Sequence, residues 1–290
     1  GLAWAMTGMV SALGGVLSER AGVAAIGLEG TMRAGAFCAA WAAWASGSAG
    51  AGLAAGVAAG AAFAAVHAWL CLRWRADQVV SGIALNLVAL GLFTFLLEAV
   101  FGTVSTAPAE GLPDLSRLAG FRAPTWLALA LPLLAAFALE RTAGGLRLAA
   151  VGEHPRAAAS LGVPVLRVRA VAVLLGGALA GLGGAALPLA ILHRFDNKMP
   201  AGLGFMALAA MVFGRWRPVG ALLASLFFAL GSALADALRS ALPPGAAAMR
   251  LDGILLALPY LLALAVLAGM AGRATAPAAL GRPFDPEARE

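Results

Sequence analysis

The chain has 290 residues, 62% of them hydrophobic and only 12% charged, with a formal net charge of +6. A soluble protein of this length needs more polar surface than that to cover its core, because ordinary soluble domains are about 25% charged. The composition excludes a soluble globular fold and predicts an all-α polytopic membrane bundle with the lipid bilayer as its solvent.

A membrane helix needs about 20 apolar residues. In chain order, candidate segments lie near 1–17, 27–46, 50–71, 79–100, 125–139, 165–192, 201–213, 218–238 and 251–270. These nine segments, with eight to ten as the range, make up a transmembrane domain over residues 1–272. No basic segment precedes residues 1–17, so they read as part of the first span rather than as a signal peptide. The run 165–192 holds Gly176, Gly177, Gly181, Gly183, Gly184 and Pro188, which predict a tilt, kink or break there. The run 201–213 is too short to cross alone at 1.5 Å per residue. It is either extended by the residues before it or a half-helix that enters and stops.

Polar groups inside these segments need a reason. Glu29 and Arg33 lie four residues apart at the start of the second segment, the better order for an ion pair on one helix face. Gly52, Gly56 and Gly60 recur every fourth residue in the third segment and predict close helix packing, against this chain or another. Asp77 opens the fourth segment, and Gln78, Ser81 and Asn86 follow within a run that should be apolar. Such side chains need partners in hydrocarbon. They either bond a neighbouring helix or face a water-filled route for a polar solute. Between the fifth and sixth segments, His154-Pro155 reads as a helix opening, with Gly162 and Pro164 as its stop. This predicts a short helix of about two turns, which needs something to pack on.

Charge sets the orientation. The loop 140–169 carries Arg141, Arg147, Arg156, Arg167 and Arg169 against Glu140 and Glu153, so the positive-inside rule places it in the cytoplasm. Counting spans then puts Arg73 and Arg75 on that side and, provided 201–213 does cross, Arg215, Arg217 and the tail 273–290 with the C-terminus as well. The loop 101–124, where Glu110 and Asp114 balance Arg117 and Arg122, falls outside. No Gly-rich loop ends in Gly-Lys-Ser/Thr, so the chain lacks that route to ATP hydrolysis. The histidines (His67, His154, His193) show no metal-ligand spacing, and no cofactor is expected. Arginines kept on the cytoplasmic side account for the positive charge without nucleic acid.

The loop sequence Ala150-Val-Gly-Glu-His-Pro-Arg-Ala-Ala158 resembles the signature of bacterial ABC importer permeases, the family that includes branched-chain amino acid, ribose and nucleoside permeases. Three further stretches look like its nucleoside and simple-sugar branch. They are Ser18-Glu-Arg-Ala-Gly-Val with Ile26-Gly-Leu-Glu-Gly30, then Gln78-Val-Val-Ser-Gly-Ile-Ala-Leu-Asn86, then Ala207-Leu-Ala-Ala-Met-Val-Phe-Gly-Arg-Trp-Arg-Pro218. The resemblance implies a non-enzymatic transport subunit of the inner membrane. It also implies a separate ATP-binding subunit, a second permease chain (identical or not) and an extracytoplasmic solute-binding protein as partners. On the matched motif, Gly152, Glu153, His154, Pro155 and Arg156, within a coupling loop at 140–164, are expected to receive the ATPase. Glu29, Gln78, Ser81 and Asn86 are the candidates for the translocation path. Departures from the family pattern at Ala25, Asp77, Pro200 and Leu203 bear on which solute is carried, and His154 departs within the loop signature. A nucleoside is the expected solute, with a ribose-type sugar or a branched-chain amino acid as alternatives. An ion-coupled secondary carrier using Glu29 is the rival mechanism.

Overall fold

A computed structural model of the chain describes residues 2–103, 117, 118, 121–241, 257, 261, 264, 265 and 275–285. Among them the helices run in the order α1 Leu2–Arg20, α2 Leu28–Ser46, α3 Ala49–Ala68, α4 Gln78–Phe101, α5 Ala123–Arg141, α6 Ala143–Glu153, α7 Pro155–Ser160, α8 Val165–Ala186, α9 Leu203–Phe213 and α10 Pro218–Ala241. One π turn at Trp69–Arg73 extends α3, and another at Leu187–Ile191 extends α8. A two-residue antiparallel pairing, Arg117–Leu118 with Phe121–Arg122, precedes α5.

Eight of the nine expected segments are helical. The ninth, 251–270, lies almost wholly outside the described residues, as do Glu110, Asp114, Arg273 and Arg289. Among the described residues four stretches are long and apolar enough to cross a membrane, Ala49–Arg73, Gln78–Phe101, Val165–Ile191 and Pro218–Ser240, or five if the bent pair Ala128–Arg141 and Ala143–Glu153 is one span. Helices α1 and α2, at 19 residues each, are diluted by Ser18, Glu19 and Arg20 in one and by Glu29 and Arg33 in the other. Those polar groups have work inside the bundle, described below.

Helix α8 is the centre post, packed on α1, α2 and α3. Its glycines make that possible. A Cβ on Gly60 would overlap the Gly177 carbonyl, and one on Gly56 would lie 2.6 Å from the Ala185 Cβ. The Gly52/Gly56/Gly60 stripe therefore meets α2 and α8 of the same chain, as close backbone approach requires. No break falls among Gly176–Pro188. α8 runs unbroken to Ala186, its glycines spent on helix contact, and Pro188 stands within the π turn. The irregular backbone begins only beyond it.

Helix α4 shows the membrane pattern plainly. Gln78, Ser81, Gly82, Leu85, Ala89, Phe93 and Leu97 form its buried stripe, while Val79, Val80, Ile83, Leu87, Val88 and Phe95 face outward. Every polar residue of its first three turns thus points into the protein or its edge, and the outer face of those turns is hydrocarbon.

After α5 the chain bends by 78° into α6. Thr142 caps α6 by accepting the Gly145 amide at 3.2 Å. The single short helix expected at 155–162 is thus preceded by a second, eleven-residue helix. The sequence reading placed no helix here; Gly144 and Gly145 lie in its first turn beneath the cap. His154, held out of the α region by the proline after it, ends α6, and Pro155 starts α7. Gly162, at φ +82°, closes α7 as foreseen.

Candidate functional site

Two irregular stretches interrupt the bundle, residues 21–27 between α1 and α2, and residues 192–202 between α8 and α9. Backbone without helical partners is tolerated at membrane depth only where protein or water satisfies it. Side chains supply that need around the first break. Gln78 accepts the Ala24 amide at 2.7 Å, Glu19 accepts the Ala25 amide at 3.1 Å, and Asn86 accepts the Gly30 amide at 2.8 Å. Asn86 also donates to the Ile26 carbonyl, and Ser18 donates to the Val23 carbonyl. His67 lies 3.0 Å from the Ala24 carbonyl through Nε2 and 3.0 Å from the Ser81 hydroxyl through Nδ1. Because a carbonyl only accepts, the neutral ring carries its proton on Nε2 and takes the Ser81 proton at Nδ1.

The second break leads into α9, and α9 is held at both ends by carboxylates from either side of the first. Glu29 accepts the Gly202 amide at 2.8 Å and the Gly204 amide at 2.7 Å, which places a negative group on the N-terminus of a half-helix. Glu19 accepts the Trp216 indole N–H at 2.7 Å, just past the other end. The backbone at both ends of α9 is left-handed, at Ala201 (φ +59°), Arg215 (φ +55°) and Trp216 (φ +54°), a conformation that non-glycine residues adopt rarely. The short run at 201–213 is thus an eleven-residue helix that the non-helical residues before it do not lengthen.

Arg33 donates to the Asn197 carbonyl, and Asn197 in turn accepts from Thr94 at 2.7 Å. Glu29 and Arg33 do not close the salt bridge with each other that their spacing suggested. Each instead reaches across to the 196–204 segment, Arg33 to the Asn197 carbonyl and Glu29 to the Gly202 and Gly204 amides. The site lies within the bundle rather than at its rim. Asn86 stands eight residues along α4 from Gln78, about 12 Å deeper at 1.5 Å per residue.

The structure thus brings Glu29, Gln78 and Asn86 directly onto the two breaks, with Ser81 one step behind through His67. It also recruits residues the sequence reading passed over: Glu19, His67, Thr94, Asn197 and Trp216. Glu19 and Trp216 sit inside two of the quoted motifs, so their pairing was available as a question but not as an answer. Among the described residues no group of three or more His, Cys, Asp or Glu is placed to hold a metal ion.

Gly152, Glu153, His154, Pro155 and Arg156 lie apart from this belt, at the α6–α7 junction. Gly152 is buried against the end of α1, where a Cβ would overlap the Arg20 carbonyl. Glu153, His154 and Arg156 are exposed, and Leu161 beyond them is the most exposed large apolar residue described, at 85%. Arg20, the residue after Glu19, therefore seats this element on the belt's own helix.

Residues 1–267 match the sequence family described as the permease component of branched-chain amino acid transport systems. The guanosine ABC transporter permease of Bacillus subtilis is 38% identical, over 98% of this chain and 94% of its own length. The nucleoside ABC transporter permease NupC of Lactococcus lactis is 37% identical, over 93% of this chain and 90% of its own. A glucose ABC transporter permease of Haloferax volcanii is 29% identical, over 74% and 62% respectively. No solved structure matches the chain significantly.

Proposed function

We propose that this chain, which belongs to the permease-component family of branched-chain amino acid transport systems, forms half of the membrane pathway of an ATP-driven nucleoside importer. The observation that supports this solute is the likeness to a guanosine and a nucleoside permease along nearly the whole length of each. Simple sugars are the neighbouring class, in keeping with the glucose permease relative. A second permease chain completes the pathway, and a solute-binding protein delivers cargo from outside.

The chain makes no covalent bond; its work is to change access. A separate ATP-binding subunit docks on the exposed Glu153, His154 and Arg156, ordered by Pro155. Gly152 lets that element press directly on the end of α1 at Arg20. The neighbouring Glu19 holds Trp216 and the 21–27 break, and beyond the break Glu29 holds the start of α9. Force applied at α6–α7 thus reaches both ends of the half-helix through the Gly152–Arg20 contact, the backbone on either side of the break and the hydrogen bonds of Glu19 and Glu29. Glu29, Gln78, Ser81 and Asn86 border the route taken by the solute. In this reading α6–α7, Arg75 and the C-terminal tail face the cytoplasm, and the loop 101–124 faces outside. The ion-coupled rival would use the Glu29 carboxylate, whose two oxygens are already committed to Gly202 and Gly204.

The test is competition for uptake by cells carrying the assembled system. Labelled guanosine uptake is expected to fall with unlabelled nucleosides and to be unaffected by leucine. Competition by leucine but not by nucleosides would overturn the solute assignment.

A further inference from the structure

Residues 275–285 return to the bundle and lie across its α6–α7 end. Ala279 donates its amide to the Gly152 carbonyl at 2.9 Å, and Ala278 donates to the Glu153 carboxylate at 3.3 Å. Phe284 packs on Val151, Ala158 and Val165, one residue from each of α6, α7 and α8. Arg169, fully buried near the start of α8, donates to the Arg282 carbonyl at 3.0 Å. At the end of the segment Arg75, in the turn between α3 and α4, makes two hydrogen bonds to Asp285, at 2.7 and 2.8 Å. This two-pronged fork is the strong, directional form of an ion pair. Arg75 makes it from left-handed backbone, at φ +56°. That conformation costs a non-glycine residue roughly 1–2 kcal/mol.

Tails held by nothing fray. This one is fixed at five points, and the points belong to different parts of the machine. Its first half grips Gly152 and Glu153, the carbonyl and carboxylate of the proposed docking element. Its last residue grips the turn that leads into Gln78 and the polar belt. We infer that residues 275–285 are a strap that carries motion of α6–α7 to α4, and that Arg75 and Asp285 are positioning residues of the transport cycle. The strap is a second route beside the Gly152–Arg20 contact, delivering force to α4 rather than to α1. This inference rests on the reading that α6–α7 receives the ATP-binding subunit.

The test uses the whole complex with its ATP-binding partner and compares Arg75→Asp, Asp285→Arg and the two together. Both side chains are partly exposed, 48% and 32%, so the belt beneath is undisturbed. Each single reversal is expected to retain the ATP-binding subunit on purification but to move about two- to fivefold less solute per ATP hydrolysed, the range of a partly exposed ion pair. The double exchange restores the ratio. A ratio equal to wild type in both single variants overturns the strap. Loss of the ATP-binding subunit from the unaltered chain overturns the docking reading instead. A chain ending at residue 274 covers the case in which a reversed charge blocks insertion: a lowered ratio with docking kept supports the strap, and an unchanged ratio overturns it.

Discussion

Glu29 accepts the amide of Gly204 at 2.7 Å, so the first turn of α2 supplies the counter-charge for the N-terminus of α9. With the Gly202 amide on its other oxygen, this one carboxylate joins the two places where the bundle abandons helical backbone. Hydrogen bonds to a charged group are worth about 1.5–3 kcal/mol each. Glu29→Ala is expected to destabilise the folded chain by roughly 3 kcal/mol or more, and Glu29→Gln, which keeps one acceptor, by about half as much. Thermal unfolding in detergent, followed by tryptophan fluorescence, checks the order. Equal midpoints for wild type and Glu29→Ala would show that the bond carries nothing.

Asn86→Leu removes the partner of the Gly30 amide and of the Ile26 carbonyl together. An unpaired buried backbone group costs about 1–3 kcal/mol. The variant is expected to insert but to yield less folded protein and to lose transport. Ser81→Ala, which removes a partner of His67 Nδ1 and of the Cys71 thiol but leaves the backbone groups paired, has the smaller effect, about 1 kcal/mol. The measurement is monodisperse yield after membrane extraction, and Ser81→Ala worse than Asn86→Leu would contradict the assignment.

Much of this was legible in the sequence. Hydrophobic runs locate the helices because every lipid-facing residue must be apolar, and α4 shows the rule with its polar stripe turned inward. Gln78, Ser81 and Asn86 stood out because amides and hydroxyls in such a run demand partners. What they bond did not follow from spacing, since Gln78 and Asn86 reach backbone groups 54 to 60 residues away and Ser81 reaches the ring of His67 on another helix. The same limit hid Glu19–Trp216, a contact across 197 residues. The glycines of α8 suggested a tilt, kink or break and prove to be contact surface. A glycine's meaning depends on its neighbour in space, and a sequence shows only its neighbours along the chain.

Helix contact at the centre post leaves no room at Gly60 or Gly181. Gly60→Val is expected to cost about 1–3 kcal/mol or more by overpacking and to lower folded yield. Gly91→Ala, where nothing lies within 4 Å, serves as the control. It is expected to be neutral or to gain a few tenths of a kcal/mol in helix propensity. Similar losses in both variants, measured by extraction yield and unfolding midpoint, would mean that the α3–α8 contact is looser than described.

Arg156→Glu changes an exposed residue at the start of α7 without touching the buried Val151–Ala158–Val165 cluster. Insertion and yield are expected to be unchanged, while solute-stimulated ATP hydrolysis and uptake fall together by at least tenfold, about 1.4 kcal/mol of lost coupling. Wild-type uptake and ATPase stimulation in this variant would remove α7 from the docking surface.

The central claim is that this chain is worked by a motor on another chain. It is tested most directly in proteoliposomes holding the permease complex and its solute-binding protein, with the ATP-binding subunit present or left out. The account predicts accumulation of labelled nucleoside only with that subunit and ATP, and no response to ionophores that collapse proton or sodium gradients. Accumulation without the ATP-binding subunit, abolished by an ionophore, would contradict it.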